Sequence, residues 1–386
     1  MAGKTQPMLD SIQALRGLAA LLVVMLHSEL ELTVPGLPVF DWVTEHVVQR
    51  GNAGVDIFFV ISGFIIAWIA VLGRAAPEGP LEFAVRRFFR VAPVYWLLSA
   101  VYVSLFNPLG WTGLMTSLAF LPTDAQSAPL YGSPALFVGW SLNYEVFFYA
   151  VCMGALFAGR RALVIVAAVL FFTTLVVPAV RFGYIDLDPA HSYPFAGVYW
   201  RMIANPLILE FLLGCATAWL FAKTRERLTP AIAGWLLAVG VTAFCLSLVI
   251  VYAPFSLVWR GLPAVLLLFG ALAVEQTGLL PIPRWSVRLG ALSYGLYLAH
   301  PLIIEGLKHL TTPLAPTAIG LQLIRFAVIL GLGLGLAALV HRYLEGPSIV
   351  LGRCVAKRLR CPASAPGRAA APAIGPEPPR CAPVDC

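Results

Sequence analysis

The chain has 386 residues, of which 60% are hydrophobic and 12% charged, against roughly 25% charged in an ordinary soluble domain. That much apolar surface has nowhere to hide in water, which excludes a soluble globular protein. The formal net charge of +7 is what loop lysines and arginines facing an anionic inner leaflet would supply, so nucleic acid gains no support as a partner.

Apolar runs of about 17 to 25 residues, long enough to cross a bilayer, begin near Ile12, Gly54, Arg90, Ala135, Ala162, Met202, Pro230, Gly261, Leu289 and Thr317. They predict an all-α, polytopic membrane protein of about ten transmembrane helices. With the N-terminus inside, thirteen basic residues fall in inner loops against five outside, the C-terminal tail not counted. Both termini are therefore predicted cytoplasmic. Residues 1–350 read as one membrane-embedded domain. Residues 351–386, rich in Pro and Ala, read as a disordered cytoplasmic tail.

The first run carries Arg16 and His27, eleven residues apart, which is about 16 Å of helical rise and about 20° past three full turns. They share one helix face, Arg16 near the inner interface and His27 in the outer third. Charge at a helix centre costs about 2.5 to 3.5 kcal/mol on insertion scales, so such residues are functional candidates. Arg16 also fits a snorkelling anchor, and His27 a satisfied core histidine. Asp56 enters the second span at its outer end, where it could orient His27 or cap the helix. The stretch from Glu82 to Arg90 reads as an amphipathic surface helix with Arg87 and Arg90 on one face. Together with Arg16 and Arg86 it would form a basic mouth suited to phosphate.

Trp111 to Leu121 is too short to span and reads as an interfacial or re-entrant piece. Glu145 lies near the middle of the fourth span and Glu210 deep in the sixth. His300 sits in the outer half of the ninth, as a site residue or as a histidine satisfied near the interface. The seven cysteines fall in helices or the inner tail, where thiols are expected to stay reduced. There is no His-Glu-x-x-His metal motif and no Gly-x-Ser-x-Gly elbow, and Gly3-Lys4-Thr5 lacks the upstream glycine of a phosphate loop. Neither a metal nor a permanently bound cofactor is predicted. On these residues alone a transporter or flippase, using the buried His, Asp and Glu as a relay, stands beside an enzyme.

Several segments in order resemble acyltransferase family 3, and within it the exopolysaccharide O-acetyltransferases. They are Ser11 to Ala20 followed by His27, Gly54 to Phe64, the Arg-x-x-Arg of Arg87 and Arg90, Trp140-Ser141-Leu142 with Glu145, Ser293-Tyr294 through His300-Pro301, and Tyr343 to Pro347. The resemblance implies an acyl-CoA donor, acetyl-CoA foremost, on the cytoplasmic side of a bacterial inner membrane. It implies O-acylation of a glycan or lipid-linked sugar, with His27 catalytic and Arg16, Arg87, Arg90 and Glu145 as further functional positions. In the mechanism expected from these placements, Arg16, Arg87 and Arg90 hold the CoA phosphates. Asp56 or Glu145 orients His27 as general base. A homo-oligomer stays open.

Overall fold

In a computed structural model, residues 9–30, 37–73, 77–106, 110–123, 127–132, 135–251, 255–310 and 319–360 are described. Among them every regular element is a helix and none is a strand. Nine helical segments among the described residues are long and apolar enough to cross a membrane. The segment expected as the fourth span, Trp140–Leu156, has 17 residues and is preceded by a 3-10 turn at Phe137–Gly139. It carries Asn143 and Glu145 and buries Trp140, Ser141, Asn143 and Tyr144 against the bundle. An all-α polytopic membrane protein is the architecture.

The helices that position polar groups are α1 (Asp10–His27), α2 (Ala53–Ile66), α3 (Pro80–Phe106), α4 (Trp140–Leu156), α5 (Leu209–Thr224), α6 (Leu262–Thr277), α7 (Arg284–Leu310), α8 (Ile319–Val340) and α9 (Gly346–Arg360). The N-terminus of α1 leaves backbone N–H groups without intrahelical partners. Glu275, at the end of α6, accepts from the N–H groups of Asp10 at 2.8 Å and Ser11 at 3.0 Å. A carboxylate there also complements the positive end of the helix dipole.

α1 and α7 run parallel, for Gly17 meets Leu289 near one end and His27 meets His300 near the other. The two backbones touch at Gly290, where a Cβ would overlap the carbonyl of Gln13. Small residues permit such approaches where helices cannot rely on water to drive them together. The histidine end of the pair is tied by Glu29, which accepts from Lys308 of α7 at 2.6 Å and Arg325 of α8 at 3.4 Å. The bond from Lys308 holds the Glu29 carboxyl below the ordinary carboxylate range.

Three expectations change. The basic stretch before the third span is no separate surface helix, because α3 runs unbroken through Arg86, Arg87 and Arg90 and past Pro93. No residue between Glu82 and Arg90 breaks helix, and Pro is tolerated in membrane helices whose neighbours satisfy the freed carbonyl. The stretch expected to open a tail at 351 is helical as far as Arg360, since α8 continues through a π-helical turn at His341–Glu345 into α9. Ser348 and Gly352 of α9 dock on Phe89 of α3, and Ala356 is fully buried. The tail from 361 onward lies outside the described residues. Last, Cys354 is disulfide-bonded, against the expectation of reduced thiols, while Cys152, Cys215 and Cys245 are free.

The Gly290 contact predicts that Gly290→Ala wedges α1 from α7. The expected cost is about 1–3 kcal/mol of stability, measured by unfolding in detergent.

Candidate active site

α1 and α7 bring His27 and His300 together. Nδ1 of His27 lies 3.2 Å from Nε2 of His300, the rings stack with centroids 5.2 Å apart, and Phe137 closes edge-on against His27 at 4.8 Å. His300 is wholly buried. Its Nδ1 is 3.2 Å from the carbonyl of Leu296, one turn earlier on the same helix. A carbonyl oxygen can only accept, so Nδ1 of His300 carries the hydrogen and, in the neutral ring, Nε2 accepts. Nδ1 of His27 must then donate to it. Nε2 of His27 is left with a bare lone pair, the form a general base requires.

The other end of α1 gathers a different set. Arg16 is 7% exposed and donates to Gln13 at 3.4 Å. It interacts electrostatically with Arg90, Glu345, Glu145 and Tyr149. Arg87 lies over the rings of Phe83 at 5.3 Å and Tyr149 at 5.7 Å. Glu145 accepts from the hydroxyls of Tyr149 and Ser62, the latter at 3.1 Å. Glu345 binds His341 at 2.9 Å. Arg16, Arg87, Arg90 and Glu145 therefore form one group. Arg86 does not belong to it, being paired with Glu82 and, at 3.2 Å, with Glu78. Neither Arg87 nor Arg90 donates a hydrogen bond to a described residue, and Nε of Arg87 is buried without a partner.

Neither acid expected to orient His27 reaches it. Glu145 belongs to the arginine group, and Asp56 to a third centre. On α2, Gly54 is the residue pressed against α1, where a Cβ would overlap the carbonyl of Ala19. Asp56 stands two residues further, about 200° around the helix, and so faces α5. There it meets Glu210, with Arg260 beside it, and all three side chains are completely buried. Arg260 also donates to the carbonyl of Val251 at 3.0 Å, as does Arg50 at 3.1 Å. The side chain that meets His27 is His300, and the backbone of Val23 also bonds to the ring. Charge counting along the sequence places Arg260 among the five outer-loop cations, where it draws no notice. The signal that could have found it is its place inside Leu257–Gly261, at the start of a buried helix.

Comparison with known proteins bears on this arrangement. A family model described as an acyltransferase domain matches residues 9–342. The chain belongs to acyltransferase family 3. It is 34% identical over 343 residues to the exopolysaccharide production protein ExoZ of Rhizobium meliloti (strain 1021), covering 85% of this chain and 97% of that one. It is 28% identical to YrhL of Bacillus subtilis (strain 168), provisionally named a peptidoglycan O-acetyltransferase, covering 77% of this chain and 49% of that one. The acyltransferase MdmB of Streptomyces mycarofaciens is 27% identical, with 80% and 84% covered. No solved structure matches. The protein is thus a membrane acyltransferase, and the transporter alternative falls away.

Removing one member of a buried ionic cluster strands the others in a medium that cannot solvate them. Arg260→Met should therefore cost about 3–5 kcal/mol of stability. Thermal and denaturant unfolding of the purified variant measures it.

Proposed function

We propose that this acyltransferase moves an acyl group, foremost acetyl, from cytoplasmic acyl-CoA to a hydroxyl of an exopolysaccharide or other cell-surface glycan at a bacterial inner membrane. The observation that carries the reading is the pairing of two chemistries along one helix. Arginines with unspent donors gather at one end of α1, and an imidazole with a bare nitrogen stands at the other. The separation of eleven residues corresponds to about 16 Å of rise, a distance that an extended pantetheine arm can cover.

In this reading the guanidinium groups of Arg16, Arg87 and Arg90 take the CoA phosphates, because planar forks bind phosphate oxygens in pairs. Glu145 keeps Arg16 and Tyr149 in place rather than touching the reacting atoms. Nε2 of His27 removes the proton from the acceptor hydroxyl as its oxygen attacks the thioester carbonyl. The carbon–sulfur bond breaks, and the proton passes from the imidazolium to the departing thiolate. The products are an ester and free CoA, with no net proton change. His300 holds His27 in the tautomer that can begin this cycle. ExoZ and YrhL, named for exopolysaccharide production and peptidoglycan O-acetylation, support a glycan as acceptor.

General-base help is worth about 10² to 10⁴ in rate. His27→Ala should lose about that factor in acyl transfer while still binding acetyl-CoA, as read by transfer of labelled acetyl in lipid nanodiscs. Near-normal transfer would remove His27 from the chemistry. In the same preparation, Arg87→Ala with Arg90→Ala should weaken acetyl-CoA binding and leave His27 chemistry intact at saturating donor. An unchanged dissociation constant would take the phosphates away from these arginines.

A further inference from the structure

The segment between Phe182 and Pro206 joins two of the candidate membrane spans and lines an open pocket of about 380 Å³, bordered by Tyr184, Asp186, Asp188, His191, Ser192 and Tyr193. The loop is built to hold one shape. Asp186 accepts from the N–H of Asp188 at 2.9 Å and binds Nδ1 of His191 at 2.8 Å. Asp188 accepts from the N–H of Ala190 at 2.9 Å, and Tyr193 accepts from the N–H of Asp186 at 2.6 Å. Asn205 donates to the carbonyl of Pro189 at 2.8 Å from below. Behind the cavity the rings of Phe182, Tyr184 and Tyr193 pack on one another.

What these bonds leave over is informative. The second carboxylate oxygen of Asp188, Nε2 of His191 and the hydroxyl hydrogen of Ser192, whose oxygen accepts from Tyr131 at 3.0 Å, have no partner among the described residues. They border the same space as the half-exposed ring of Tyr184. Lys and Arg are missing from the lining, so it does not suit a phosphate or a CoA molecule. A flat apolar ring beside a few fixed acceptors and donors suits a sugar, which offers an apolar C–H face and a rim of hydroxyls.

The loop also stands in short covalent reach of the histidine pair. Tyr131 binds Ser192 at the cavity, and Phe137 packs on His27 and His300. Phe137 stands six positions after Tyr131, so their Cα atoms lie within about 22 Å of each other. We infer that this cavity is a subsite for the acceptor glycan, binding sugar units remote from the hydroxyl that reacts at His27. The inference rests on the reading of His27 as the site of transfer to a glycan. A loop already ordered by its own hydrogen bonds loses little entropy on binding, and a remote subsite makes transfer prefer long chains over short ones.

The test uses the full chain in nanodiscs, with oligosaccharides from partial hydrolysis of the producing bacterium's own exopolysaccharide, sorted into short and long fractions. Tyr184→Ala and Asp188→Asn are suitable, because Tyr184 is exposed and Asn at 188 can still accept from Ala190. Each should raise KM for the long fraction about ten-fold, the loss expected for one good contact, with kcat and the KM of the short fraction unchanged. Equal KM values for the long fraction in variant and parent overturn the subsite. A second arm separates this from failure of the chemistry beneath it, by measuring binding of a fluorescent long oligosaccharide to the His27→Ala protein. Binding that persists there and weakens on adding Tyr184→Ala supports the subsite whatever the acyl assay gives, and binding indifferent to Tyr184→Ala refutes it.

Discussion

α1 and α7 touch backbone to backbone because Gly290 offers no side chain to keep them apart and Gly17 lies opposite Leu289. Inside a membrane this contact has no hydrophobic driving force to lean on and must be made by close packing. Its consequence appears ten residues further along α7. With the two helices parallel and in contact, His27 and His300 arrive at the same level and bond through their rings. Phe137, Tyr297 and Ser141 complete the surroundings, with Tyr297 donating to the carbonyl of Val138 at 2.9 Å. The clasp of Glu29 with Lys308 and Arg325 just beyond them keeps the pair from splaying.

The buried polar groups sort into three centres with distinct electrostatic logic. The histidine pair is joined by a directed chain of hydrogen bonds that begins at the carbonyl of Leu296 and leaves Nε2 of His27 bare. The group of Arg16, Arg87, Arg90 and Glu145 carries excess positive charge with donors left over, a poor arrangement for stability alone and a good one for an anionic ligand. Asp56, Glu210 and Arg260 form a third group, fully buried side by side, in which both carboxylates and Nε and Nη1 of Arg260 have no hydrogen-bond partner among the described residues.

Much of this was legible in the sequence, for a definite reason. Hydropathy and charge report depth, because a bilayer taxes polar groups by their position along its normal. Hence the spans, the end-to-end placement of Arg16 and His27, and the grouping of Arg87 with Arg90 could all be read. Rotation about each helix axis could not. Asp56 reads as a neighbour of His27, yet Gly54 is the residue that faces α1 and Asp56 turns to α5. Glu145 likewise joins the arginines. His300 could be singled out but not assigned, since its role exists only through the approach of α7 to α1. Helix α9 was hidden by composition, because its Lys and Arg resemble a solvated tail while Gly352 and Ala356 pack on α3.

The central claim is that His300 fixes His27 with its hydrogen on Nδ1 and leaves Nε2 bare. The most direct measurement is the nitrogen magnetic resonance of ring-labelled histidine in the full chain above neutral pH, with His27 assigned by its loss in His27→Gln. The account predicts a protonated Nδ1 and an unprotonated Nε2 for His27, and loss of that preference in His300→Ala. A hydrogen found on Nε2 of His27 in the parent protein would contradict it, because the nitrogen meant to accept the acceptor's proton would already be occupied.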